Sequence, residues 1–188
     1  MADSEIVFET EWFNIERQTY DDIEALEGKP FYRINAPDGV MVLAMTDSNQ
    51  LVMVEQFRPA ISQHTLELPA GARDFNETSE ETAARELYEE TGYICDSLIP
   101  LGAGRLMGSR FNAYQFPFLG LGARLNSSHV PKENIQVRLV LPEELKRLTL
   151  NQEFVQYAAL ALMVLADWQV GTSLTQPERM AQRMIRNE

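Results

Sequence analysis

The sequence predicts an α/β fold, a mixed sheet flanked by helices, on three observations. Residues 5 to 58 carry short apolar runs separated by turn residues, the pattern of strands. Residues 78 to 92 read as one helix with a start signal and a stop signal, and beyond residue 142 two apolar helical stretches follow. Strands and helices do not alternate regularly, which favours a mixed sheet over a doubly wound parallel one.

The strands in order are Ile6-Val7-Phe8, Phe31-Tyr32-Arg33-Ile34, Val40 to Ala44 and Leu51 to Val54. Turn signals separate them at Glu27-Gly28-Lys29-Pro30, Pro37-Asp38-Gly39 and Asp47-Ser48-Asn49-Gln50. Thr78, with Glu81 three residues later, forms a capping box, and Gly92 stands where a helix of roughly fourteen residues would end. Strands return at Phe116 to Leu119 and Ile135 to Val140. Pro142-Glu143-Glu144-Leu145 opens a short helix, and Phe154 to Trp168 forms a longer apolar one. The expected organisation is a β-rich segment 1–45, a main domain 46–170 and a helical tail 171–188, which either docks through Met180, Met184 and Ile185 or frays.

The chain is long enough for one sizeable core. A formal charge of -12 in 188 residues argues against nucleic acid or an anionic membrane as partner, since both need a basic footprint. Cys95 is the only cysteine, which removes an internal disulfide and a cysteine metal cluster and fits a reducing compartment. The acidic start Met1-Ala2-Asp3-Ser4-Glu5 lacks the features of a signal peptide, and the longest apolar run, Tyr157 to Ala166, is too short to span a bilayer. A soluble cytoplasmic protein is expected.

The chemistry concentrates in the helix. Six glutamates fall in the fourteen residues from Glu77 to Glu90, and like charges a turn apart repel unless something positive sits among them. At about 100° per residue, Glu86, Glu89 and Glu90 share one face. Carboxylate oxygens suit hard divalent cations, and magnesium in particular is held by one or two carboxylates with phosphates and waters completing its shell. Arg85 can pair with a neighbouring carboxylate and fix its rotamer. His64 and His129 are the only histidines, so a nucleophile activated by histidine is poorly provided for.

Gly71, five residues, Glu77, seven residues, Arg85-Glu86-Leu87, one residue, Glu89-Glu90, one residue and Gly92 together resemble the signature of the Nudix hydrolases, with Tyr93 in a slot that is usually aliphatic. Gln56-Phe57-Arg58-Pro59 and Leu66-Glu67-Leu68-Pro69-Ala70-Gly71 resemble the ADP-ribose and nucleotide-sugar pyrophosphatase branch. The resemblance implies an α/β/α sandwich with a small N-terminal antiparallel sheet, and metal-dependent hydrolysis of a nucleoside diphosphate sugar or ADP-ribose-like compound. It implies magnesium, with manganese as the alternative, held by the Ala70 carbonyl, Glu86, Glu90 and Glu133. Glu89 and Glu133 are the two candidates for the base. Arg58 and the main chain at Ala72 would meet the substrate, a small nucleotide; Arg110, in a stretch where the chain departs from the family, is either a further phosphate contact or a plain loop arginine.

Between Gly104 and Leu119 the chain departs from the ADP-ribose enzymes. Leu106-Met107-Gly108-Ser109-Arg110-Phe111-Asn112 carries no glutamate and adds a cation, which puts ADP-ribose itself in question but not the diphosphate chemistry. Trp12, Phe13, Phe31 and Tyr32 stand where related enzymes pack a small sheet between subunits, so a homodimer is expected. Aromatic pairs in strands more commonly serve core or interface than a base platform. The alternative from another class is a sensor of the same fold that binds a nucleotide without hydrolysing it.

Overall fold

A computed structural model describes residues 4–20, 23–24, 28–130 and 134–176. Strands β1 (Ser4–Glu9), β2 (Asn14–Gln18) and β3 (Phe31–Asn35) form an antiparallel three-stranded sheet. The main sheet holds seven strands: β4 (Gly39–Met45), β5 (Leu51–Arg58), β6 (Gln63–Glu67), β7 (Ala70–Ala72), β9 (Ser97–Pro100), β10 (Gln115–Leu121) and β12 (Ile135–Val140). Its principal order is β12-β5-β4-β10-β9, with β6 on β5 and β7 on β4, and β10 runs parallel to β4 while the other pairs are antiparallel. A two-stranded ribbon joins β8 (Tyr93–Ile94) and β11 (Arg124–Leu125). The helices are α1 (Ser79–Thr91), α2 (Pro142–Leu150) and α3 (Tyr157–Val170).

β4 is buried on both faces, and the two-residue period of a strand divides its side chains between two cores. Val40, Val42 and Ala44 pack with Ala83 and Leu87 of α1. Met41 and Leu43 pack with Leu145 and Leu148 of α2 and with Leu162, Met163 and Ala166 of α3. The sheet therefore lies between helical layers, the α/β/α arrangement expected. None of the described helices is long and apolar enough to cross a membrane.

The segment Gly39–Met45 lies inside the main sheet, so the small sheet ends at Asn35, ahead of the expected boundary at residue 45. α3 begins at Tyr157, three residues after Phe154, which is buried in the loop before it. α2 opens at Pro142, as expected, and ends at Leu150, and residues 177–188 of the expected tail lie outside the described residues. β2, β6, β7, β8, β9 and β11 have no counterpart in the sequence reading. β7 has three residues and β8 and β11 two each, too few to show a period, and β2 and β6 are mostly polar.

The small sheet is stitched to the loop before β10. Ile34 N–H donates to Arg110 O (2.8 Å), Asn112 N–H donates to Ile34 O (3.1 Å), and Asn112 Nδ2 donates to Asn35 Oδ1 (2.6 Å).

Candidate metal and diphosphate site

The site is built where α1 crosses β7. Local sequence sets the helix: Glu81 N–H donates to Thr78 Oγ1 (3.2 Å) and Thr78 N–H donates back to Glu81 Oε2 (2.8 Å), the reciprocal capping box. The helix stops at Gly92, whose φ of 75° is left-handed and whose N–H donates to Tyr88 O (2.8 Å). Glu80 and Glu81 in the first turn complement the helix dipole, whereas Glu89 and Glu90 near its C-terminal end oppose it. A chain that places carboxylates against the dipole has departed from local stability, as functional sites do. At this end of the helix His129 Nε2 lies 3.1 Å from the main-chain oxygen of Glu89.

β7 lies along β4, with Val40 opposite Gly71 and Met41 opposite Ala70, and Val42 N–H donates to Pro69 O (2.9 Å). Onto this fixed backbone α1 lowers two buried carboxylates. Glu90 Oε2 accepts the N–H of Ala70 (3.1 Å), and the Glu86 carboxylate occupies the space where a side chain on Gly71 would stand. Glu89 is more exposed, at 40% of its side-chain surface.

Arg85 supplies the positive charge that the cluster requires. It grips Glu77 with two bonds of 2.9 Å, donates to Glu86 Oε1 (2.7 Å) and to Ala72 O (3.2 Å), and lies 3.7 Å from Glu89. Its hydrogen bonds hold the Glu77 carboxyl below the usual carboxylate range.

The structure brings Ala72, Glu86 and Glu89 to Arg85, and Ala70 to Glu90 one helical turn from Glu86. Arg58 lines an open cavity of about 430 Å³ that also touches Glu67, Ala70, Gly71, Tyr114 and Gln156. Its guanidinium makes a two-pronged pair with Glu67, Nε to Oε1 at 2.8 Å and Nη2 to Oε2 at 2.5 Å. Burial pushes the Glu67 carboxyl up, but Arg58 and the Thr65 hydroxyl outweigh it and the net direction is down. The Arg110 guanidinium lies 4.2 Å from the Phe31 ring centroid and donates to Tyr32 O (3.3 Å). Glu133 lies outside the described residues.

Glu67 and Gln156 were assigned no role from sequence. Gln156 has no local signal, since its partner Leu68 is 88 residues away. Glu67, in a strand beside threonine and leucine, reads as an ordinary edge charge until the β5/β6 pairing is known. That pairing sets Arg58 opposite Gln63 and Val54 opposite Glu67.

The donor set fits a hard divalent cation. Among the described residues no cluster of three or more histidine, cysteine or acidic side chains closes on a single point. Magnesium does not ask for one: two carboxylates one helical turn apart, plus a main-chain carbonyl, leave room for waters and phosphate oxygens. Glu86 and Glu90 are buried at 9% and 8% exposure, and the missing side chain of Gly71 gives the first of them its seat.

A family model described as the NUDIX domain matches residues 36–162. The chain is 41% identical over 85 residues to the ADP-ribose pyrophosphatase of Bacillus subtilis (strain 168), covering 44% of this chain and 46% of that protein. It is 41% identical over 80 residues to the methanol dehydrogenase activator of Bacillus methanolicus, covering 42% and 43%. The matched part thus spans just under half the length of each of these curated relatives. A solved structure described as an ADP compounds hydrolase superposes with a TM-score of 0.77 over 93% of this chain and 96% of that one, and at 19% identity it speaks for the fold alone.

Proposed function

The chain belongs to the Nudix hydrolase family, and on that premise we propose that it hydrolyses the diphosphate bond of ADP-ribose or a related nucleoside diphosphate sugar, giving a nucleoside monophosphate and a sugar phosphate. The observation that carries the reading is the convergence of buried Glu86 and Glu90 on the backbone of Ala70 and Gly71. An acid-rich helix serving only as a solvated face would leave these carboxylates in water.

Glu86, Glu90 and the Ala70 carbonyl would hold magnesium, which when bound neutralises phosphate oxygens and acidifies a water. Arg85 keeps Glu86 in one rotamer and offsets the repulsion among the acids. Arg58, already aligned by Glu67, retains its Nη1 group for a phosphate oxygen. Ala72 would present main chain to the substrate, although its carbonyl already accepts from Arg85. Arg110 is better suited to bracing the loop on β3 than to binding phosphate. Glu89 and Glu133 are the candidates for proton acceptor, and Glu89→Gln and Glu133→Gln separate them, because only loss of the base removes the basic group from the pH profile.

The same reading includes a homodimer in the cytoplasm, with the small sheet at the subunit boundary. Its support is the exposure of Ile6, Phe8 and Trp12, apolar side chains on or beside that sheet, and sedimentation equilibrium tests it.

The deciding experiment incubates purified protein with ADP-ribose and a panel of nucleoside diphosphate sugars, with magnesium, with manganese and with EDTA, and scores monophosphate release. Metal-dependent release from at least one compound is expected. Calorimetric binding without product under every condition would reassign the chain as a binder.

A further inference from the structure

One side-chain amide, at the residue that opens α3, reaches across to the site. Gln156 Oε1 accepts the N–H of Leu68 (2.9 Å), and its Nε2 donates to Glu67 Oε2 (3.3 Å). Glu67 is buried and holds Arg58 by two bonds, with Thr65 Oγ1 donating to the same carboxylate at 2.6 Å. Two residues beyond Leu68 the chain reaches Ala70, whose N–H is bound by Glu90.

We infer that Gln156 is a positioning residue: a single amide locks Arg58, through Glu67, and the main chain running into Ala70 in one mutual register at the rim of the cavity. This rests on the reading of the site proposed above. An isolated glutamate at position 67 would already pair with Arg58 through both oxygens, but the pair could swing as one body about the glutamate side chain. The added bonds, Thr65 to Oε1 and Gln156 to Oε2, tie the carboxylate to its surroundings, so the arginine fork is fixed before any anion arrives. On the other flank, the bond from Val42 N–H to Pro69 O holds the segment to β4. Gln156 thus supplies the restraint that β4 cannot, because the N–H of Leu68 points to the α3 side of the chain.

The test compares wild type, Gln156→Leu and Gln156→Glu by steady-state hydrolysis, with magnesium, of the panel compound that wild type cleaves fastest, by amide exchange at Leu68, and by thermal melting. Gln156→Leu is expected to raise KM for that compound about tenfold and to lose protection at Leu68, with a smaller change in kcat. Gln156→Glu retains an acceptor for Leu68 but sets a second carboxylate against Glu67. It is expected to keep the Leu68 protection and still raise KM, and it carries the test should the leucine variant not fold. An unchanged KM in both variants, or a loss confined to kcat in step with a lowered melting point, would assign Gln156 a merely structural role and overturn the inference. Absence of hydrolysis of every compound in the panel by wild type would overturn the proposed function itself and this role with it.

Discussion

A Cβ added to Gly71 would stand 2.1 Å from the carboxyl carbon of Glu86, deep inside van der Waals contact. Gly71 cannot retreat, because β7 is paired with β4 at Val40. The carboxylate must move instead. Gly71→Ala is therefore expected to leave the fold in place and lower kcat/KM about a hundredfold or more, by displacing one proposed metal ligand. Circular dichroism and steady-state kinetics check it, and near-normal turnover in this variant would show that Glu86 has no task at that position.

Glu90→Gln separates charge from shape. The amide oxygen of glutamine can still accept the N–H of Ala70, so the helix stays docked on β7. The negative charge needed for a divalent cation is gone. Turnover is expected to fall by about two orders of magnitude or more while the melting temperature changes little. Isothermal titration with magnesium gives a second measurement, and unaltered metal affinity would count against Glu90 as a ligand.

Arg85 joins Glu77, Glu86, Glu89 and the Ala72 carbonyl, and this depends on its planar fork more than on its charge. Arg85→Lys keeps the charge and loses the two-pronged grip on Glu77. A loss of about tenfold in kcat/KM is expected for lysine and about a hundredfold for alanine. Equal activities of the lysine variant and wild type would reduce Arg85 to simple charge compensation.

What the sequence made legible was local. The capping box at Thr78 and Glu81 and the stop at Gly92 are encoded within a few residues of the helix they bound, and both stand in the structure. The doubly buried run Val40 to Ala44 likewise announces a central strand, because no surface strand tolerates apolar residues on both faces. Helical spacing set Glu86, Glu89 and Glu90 on one face, and the resemblance to the Nudix signature singled out Glu86 and Glu90, the two that the structure buries. What stayed hidden depended on distant pairing. β7 is three residues long and is a strand only because β4 lies beside it. Arg110 reads equally as a phosphate contact or a plain loop arginine, and only the docking of its loop on β3 sets its guanidinium over Phe31. Gln156 and Leu68 are brought together only by the packing of α3.

Acid should loosen the small sheet through Glu16. Its carboxylate accepts from Asn35 Nδ2 (2.8 Å), Gln18 Nε2 (2.8 Å) and Arg33 Nη2 (2.6 Å), and these bonds lower its pKa from 4.5 to about 2. A folded pKa below the unfolded one means that the stabilisation is complete above pH 4.5 and is lost as pH falls from there towards 2. Asn35 also accepts from Asn112, so protonation weakens the seam between the sheet and the loop before β10 as well as the strand pairing itself. The readout is the difference in thermal midpoint between wild type and Glu16→Gln, which cancels the carboxylates common to both proteins. Wild type is expected to be the more stable at neutral pH and to lose that advantage across the stated window. A difference that stays constant from pH 5 to pH 2 would show that these bonds do not depend on the charge of Glu16.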